Sequence, residues 1–269
     1  MKLGRILARD QARENGEASE TAAANGAAPQ TLEQQAAYFR TFGALVVPGL
    51  FAGDFDGICA GFDEVFAREP VGAHDAEDPL SLHRVMSPDH GPARRQIPTP
   101  AEIRAGGVTG FIERSEKLNW LAQDARLTDL ARALLGDDFF YVGSVGNVFN
   151  SYIYWHSDYF RGTVPVETRL KMSFYLEELD GGSGALRVIP GTNHLGTYRD
   201  LLYDENRAVD PDHLEKLFGM PEDQLPHLAL ASKPGDVVVF DNTTLHANFH
   251  GRPNRRMFSV QFAQPRRDS

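Results

Sequence analysis

Apolar positions along this chain follow two rhythms. Up to about residue 136 they recur every three to four residues, the spacing of one helical face. From residue 139 they recur every second residue in short runs, the spacing of half-buried strands. The first helix is predicted from "TLEQQAAYFRTFG", where Thr31 and Gln34 can form a capping box and Gly43 a C-cap. The strand "ALVVP" follows, then a helix over about residues 53–67, and a third helix, "DARLTDLARALLG", that stops at Gly136. Strands are expected in "FFYVGSVGNVF", "SYIYWHSDYF", "ETRLKMSFYLEEL", "GALRVIPG", "DVVVFDNTTLHANF" and "RRMFSVQFA", broken by Gly, Asn and Pro. Strands this short and numerous predict a sandwich or barrel, so the chain reads as mainly β with flanking helices.

Three segments break the rhythm. Residues 1–30 carry no large apolar side chain after Leu7 and read as a disordered leader, which leaves residues 31–269 as a single domain. Residues 74–110 are rich in Pro, His and Arg without either period, and a segment of that kind inside a domain reads as a lid or a disordered loop. "YRDLLYDENRAVDPDHLEKLFGMPEDQ" reads as a helical or loop insertion between strands.

Composition changes the picture only by exclusion. A net charge of -10, from 37 acidic and 27 basic residues, lacks the basic footprint of a nucleic-acid binder. The single cysteine, Cys59, cannot close an intrachain disulfide and is expected to be a small buried residue of the second helix. No run approaches the roughly 18 apolar residues of a membrane span, and no signal peptide is visible, so a cytoplasmic location without a membrane partner is expected. The oligomeric state is left open.

Candidate chemistry begins at "YWHSDYF". On a strand, His156 and Asp158 share one face, while Trp155, Ser157 and Tyr159 share the other. The pair presents two ligands to one point, or else is a pair of hydrogen-bonded polar residues. A metal site needs a third donor from another strand. Among nine histidines, His246 continues the strand parity of Asn242 and Thr244, whereas His250 sits in a turn; the others fall in loops or the insertion. Two histidines and one carboxylate on one face leave three positions of an octahedral ion open, which suits non-haem iron(II) with a chelating cosubstrate and oxygen.

From about Thr31 to Phe262 the sequence resembles the phytanoyl-CoA dioxygenase family of iron(II)- and 2-oxoglutarate-dependent oxygenases. His156-x-Asp158 is similar to the family's H-x-D and His246 to its distal histidine; "GALRVIPGTNH" is similar to its G-x-L-x-x-x-P-G-S/T-H stretch, with Asn193 as an extra residue. "GDVVVFDNTTLH" resembles its G-D-x-x-x-F-x-x-x-x-x-H, and "YWHSD" has a parallel in ectoine hydroxylases. The resemblance implies a double-stranded β-helix, a cupin-like jelly roll. It implies His156, Asp158 and His246 as both metal ligands and catalytic residues, with Fe(II), 2-oxoglutarate and O2 as cofactor and cosubstrates. It also implies an arginine for the far carboxylate of 2-oxoglutarate. Arg255 shares a face with Met257, Ser259 and Gln261 and matches the family's R-x-x-x-S, although its distance from His246 is shorter than usual; Arg256, on the apolar face, stays the alternative. Asn248, in place of a family serine, and Asn147 are further candidates for the cosubstrate site, with turn residues as the bland alternative.

The resemblance further implies a small-molecule substrate and, as outcome, hydroxylation, with desaturation or oxidative cyclisation as variants, in natural-product biosynthesis. Ectoine is disfavoured, because the chain continues "YFRGTVPVETR" after the H-S-D stretch. Substrate candidates are Tyr154, Arg161, Arg169 and Lys171. The last two alternate with Leu170, Met172 and Phe174, so they face the barrel interior if the apolar set packs on helices, or solvent if it does not. The competing class is a noncatalytic β-barrel that binds a ligand or metal. A halogenase is disfavoured by Asp158, and a serine hydrolase by the absence of a G-x-S-x-G elbow.

Overall fold

The computed structural model describes residues 31–68, 106–149, 153–158, 167–194, 219–221, 224–248 and 255–265. The predicted leader at 1–30, most of the irregular segment before residue 106 and most of the insertion that begins "YRDLL" lie outside these residues. Three helices are present: α1 (Leu32–Phe42), α2 (Phe55–Arg68) and α3 (Ala125–Leu135). The strands are β1 (Ala44–Val47), β2 (Gly106–Thr109), β3 (Phe140–Phe149), β4 (Ile153–His156) and β5 (Glu167–Tyr175). They continue with β6 (Leu186–Val188), β7 (Leu228–Leu230), β8 (Val237–Asp241), β9 (His246–Asn248) and β10 (Arg255–Pro265).

Strand pairing is antiparallel throughout the two sheets. One runs β1-β8-β5-β10-β3-β2 and the other β4-β9-β6-β7, the double-stranded β-helix arrangement of a jelly roll. Alternation along the strands decides which side meets what. Leu170, Met172, Phe174 and Leu176 of the β5 segment and Phe258, Val260 and Phe262 of β10 pack in one cluster with Phe39 of α1, Phe62 and Val65 of α2 and Leu130 of α3. Phe174 and Phe258 stack at 4.6 Å. A second cluster joins Tyr175, Val238, Phe240 and Met257 of the large sheet to Leu186, Val188 and Leu230 of the small one, and so lies between the sheets. Trp155 packs with Ile189, Leu225, Leu245 and Ala247 in a third.

Three expectations need correction. The end of the irregular segment is ordered: Gly106–Thr109 forms β2 at the edge of the large sheet, paired with β3. "DVVVFDNTTLHANF" is two strands in different sheets. Asp241 ends β8 by accepting the Thr243 N–H and hydroxyl on Oδ1, at 2.8 and 2.7 Å, and the Thr244 N–H on its carbonyl at 2.9 Å. Cys59, for its part, is half-buried beside the main cluster rather than inside it.

That turn is held from two sides. Thr192, from the "IPGTNH" stretch, accepts the Leu245 N–H on Oγ1 at 2.9 Å. Gly43, the α1 C-cap, has φ 79, and its carbonyl accepts the Asp241 N–H at 2.9 Å and the Thr244 hydroxyl at 3.1 Å. A Cβ on Gly43 would stand 2.4 Å from Thr244 Oγ1. Gly43→Ala is therefore expected to cost about 2–4 kcal/mol, left-handed strain plus overpacking. Gly49, at φ 63 with open space around it, isolates the strain, so Gly49→Ala should cost only about 1–2 kcal/mol. Urea unfolding of the two variants measures the difference.

Candidate functional site

The turn at 241–244 brings three donors together. It delivers His246 as the first residue of β9, directly opposite His156, the last residue of β4. Asp158 lies beyond the end of β4, so strand parity alone does not aim it as expected. Its N–H donates to Asn242 O at 2.9 Å, which ties the carboxylate segment to the same turn. The result is a group in which one ligand atom each from His156, Asp158 and His246 lies within 4.8 Å of the others. His246 Nε2 is 3.6 Å from Asp158 Oδ2, His156 Nε2 is 3.9 Å from Asp158 Oδ1, and the two imidazole centroids are 4.2 Å apart.

Electrostatics leave His246 and Asp158 in states that can bind a metal. Burial, reinforced by His156 and Lys171 and opposed by Asp158, pushes the His246 pKa down to about 3. Its Nδ1 lies 2.9 Å from Thr244 O; a carbonyl only accepts, so Nδ1 carries the proton and Nε2 presents a lone pair. Burial alone would raise the Asp158 pKa, but the Lys171 ammonium, 2.6 Å from Oδ2, and the two imidazoles hold it well below the usual carboxylate range. A neutral imidazole and an ionised carboxylate are the protonation states in which these side chains bind a metal.

The His246 shift carries a pH dependence. An unfolded histidine takes a proton near its ordinary value of 6.5, whereas the folded one waits until about 3. The unfolded state therefore binds more protons in that window, and stability falls as pH falls through it. The metal-free protein is expected to lose unfolding free energy between pH 6.5 and 4 in urea titrations. His246→Gln should flatten that slope.

Past His246, the interior ends at Arg255. His246 and Asn248 share one face of β9, which puts Asn248 roughly 7 Å further along the strand. Arg255, 2% exposed, donates from Nη1 to Asn248 Oδ1 and to Gly184 O. Burial lowers its pKa, opposed by Tyr175 and Glu177. Its guanidinium stands 5.8 Å from the centre of the Tyr175 ring. Arg256 points the other way, with its Nε 2.8 Å from Glu177 Oε1 and its Nη1 2.9 Å from Asp63 Oδ1 of α2. Ser259 is buried on the interior side of β10, opposite Ser173 of β5. Asn147 Nδ2 lies 3.5 Å from Met257 Sδ in the neighbouring strand.

The substrate candidates fare differently. Lys171 reaches the site but is ion-paired with Asp158, and Arg169 is ion-paired with Glu167. Tyr154 belongs to β4, and Arg161 and His250 lie outside the described residues. Two contributors were not assigned a role from sequence. Tyr175 is buried beside Arg255 and hydrogen-bonded to Asn248, and its burial, partly offset by both neighbours, raises the phenol pKa so that it keeps its proton. Thr192 braces the His246 turn. For Tyr175 the signal is its alternation in phase with Lys171; for Thr192 the P-G-S/T motif marks the position but not the role, because its partner is 53 residues away.

Residues 39–255 match the phytanoyl-CoA dioxygenase family. Ectoine dioxygenase of Sphingopyxis alaskensis is 29% identical over 235 residues, which cover 80% of this chain and 69% of the relative. The crystal structure of EctD from S. alaskensis with bound Fe superposes with a TM-score of 0.61 at 24% identity, covering 89% of this chain and 79% of that one. The epimerase SnoN, in complex with Fe3+, alpha ketoglutarate and nogalamycin RO, gives a TM-score of 0.58 at 20% identity, with 88% and 86% covered. The family match runs from α1 to the first residue of β10 and so takes in every strand that frames the three donors: the chain belongs to the phytanoyl-CoA dioxygenase family and is an iron(II)- and 2-oxoglutarate-dependent dioxygenase.

Proposed function

We propose that this dioxygenase hydroxylates a small polar molecule of natural-product biosynthesis, with His156, Asp158 and His246 as its iron ligands and Arg255 as its grip on 2-oxoglutarate. One observation carries the reading. Three candidate metal donors converge at one end of the interior, and the buried Arg255 of β10 donates to Asn248, which stands roughly 7 Å beyond His246 along β9, a span of the order that a five-carbon dicarboxylate bridges. The donor set fits iron(II): two imidazoles and one carboxylate on one side leave the other side for a keto acid and oxygen. Arg255 would hold the far carboxylate through its planar fork, and Asn248, Tyr175 and Ser259 would line that end with hydrogen-bond donors. Asn147 would flank the same chamber through Met257.

With iron bound, the site supplies oxygen activation: one oxygen atom ends in succinate, released with carbon dioxide from 2-oxoglutarate, and the other in the hydroxylated product. The chain's own task is orientation and exclusion of water. Phe240, whose ring centre is 4.7 Å from that of His246, and Met257 give the chamber apolar walls, so a substrate C–H bond can be held beside the ligands away from bulk solvent. Desaturation and oxidative cyclisation use the same ligands and differ in how the substrate is held.

Protein reconstituted with iron(II), ascorbate and 2-oxoglutarate is expected to release succinate slowly alone and faster with a true substrate. A panel of sugar and amino-acid derivatives, scored by succinate, tests the substrate class. Iron-loaded protein that forms no succinate with any compound and does not bind 2-oxoglutarate would remove the reading.

A further inference from the structure

Lys171 is the one cation among the described residues that touches a member of the donor group. It projects from the middle of β5, in register with Phe240 of β8 and Gln261 of β10, so strands on both sides fix its backbone. Its Nζ lies 5.8 Å from the centre of the Phe240 ring and 2.6 Å from Asp158 Oδ2, with both side chains of the pair 24% exposed. The other carboxylate oxygen, Oδ1, faces His156. Oδ2 also stands 3.6 Å from His246 Nε2, so an ammonium held against it competes with an ion for that oxygen and leaves Oδ1 as the uncontested one.

We propose that Lys171 is a positioning residue: by holding Oδ2 it restricts Asp158 to coordination through one oxygen and keeps a further position on the ion for cosubstrate. This rests on His156, Asp158 and His246 being the metal ligands. The physical reason is competition for a carboxylate, which binds a divalent ion through one oxygen or both according to what else the second oxygen meets. An ammonium ion-paired to that oxygen at 2.6 Å is a strong partner for it. It also adds positive charge next to the ion, which weakens metal binding while favouring an anionic cosubstrate. Such a role differs from anchoring a substrate, since the ammonium is directed at the protein's own carboxylate.

Cobalt(II) titration of the full chain separates these roles, because the intensity of the cobalt visible bands reports coordination number and titration reports affinity. Lys171→Met is expected to change the cobalt spectrum, to bind cobalt roughly tenfold or more tightly and to bind 2-oxoglutarate to the cobalt form roughly tenfold or more weakly. Lys171→Gln keeps a hydrogen-bond donor without the charge and is expected to retain the wild-type spectrum. A spectrum that shifts in both variants, or in neither, overturns the proposal. If wild-type protein takes up no cobalt, the ligand assignment itself fails, and the proposal with it. Should Lys171→Met not fold, Lys171→Leu takes its place in the same comparison.

Discussion

His246→Ala is expected to abolish metal binding at this site and to reduce 2-oxoglutarate-dependent succinate formation by roughly 100-fold or more. Loss of residues that merely orient a metal ligand costs about 10–100-fold, so loss of a ligand sets that range as a floor. The effect should be chemical rather than structural. The side chain's recorded protein hydrogen bond is the one to Thr244 O, and its removal from the metal-free protein should cost about 1 kcal/mol. His194, outside the donor group with its Nε2 3.2 Å from Thr41 O, is the matched control. His194→Ala should leave metal affinity unchanged. The measurement is calorimetric titration with manganese(II) or cobalt(II), alongside thermal unfolding of each metal-free variant. Wild-type metal affinity in His246→Ala would end the assignment.

The second large effect belongs to the other end of the chamber. Arg255→Ala is expected to weaken 2-oxoglutarate binding to the metal-loaded protein about 30-fold or more, since truncating one member of a buried charged pair costs about 2–5 kcal/mol and each 1.4 kcal/mol is tenfold. Arg255→Lys keeps the charge but loses the planar fork, so it should fall between the two. Arg256→Ala is the discriminating control. That arginine is partly exposed and engages Glu177 and Asp63 on the helical side, so its loss should cost at most about 1 kcal/mol of stability and leave cosubstrate affinity intact. The reverse pattern, with weakened binding in Arg256→Ala alone, would move the role to Arg256.

These tests bear on choices that sequence reasoning could only narrow. Parity along β10 separated Arg255 from Arg256 and named the correct face for each, because alternation is a property of a single strand and needs no knowledge of its neighbours. The same logic sorted Leu170, Met172 and Phe174 from Lys171, Ser173 and Tyr175, and the observed clusters respect it. Capping was equally local: Thr31, Gln34 and Gly43 form the box and left-handed cap read from their spacing. Parity failed where a strand ended unannounced. Alternation from Val237 runs to His246 on paper, but the Asx turn at Asp241 and the two threonines after it reset the phase and pass the chain to the other sheet. Asp158 failed likewise, since β4 stops at His156.

Lys171 shows the limit most plainly. Its interior placement was one of two readings of the β5 alternation, and packing of the opposite face on the helices decides for it. What it does there depends on Asp158, thirteen positions earlier in the chain and brought near by a turn from a third segment. By itself, then, the amino-acid sequence determined most of the elements, the faces within single strands, the candidate donor residues and the family, since each is written in spacing and residue type. Only the tertiary structure decided which donors share one point, which carboxylate oxygen is already engaged and which arginine is buried, because those follow from long-range strand pairing and from desolvation, and neither has a local signature.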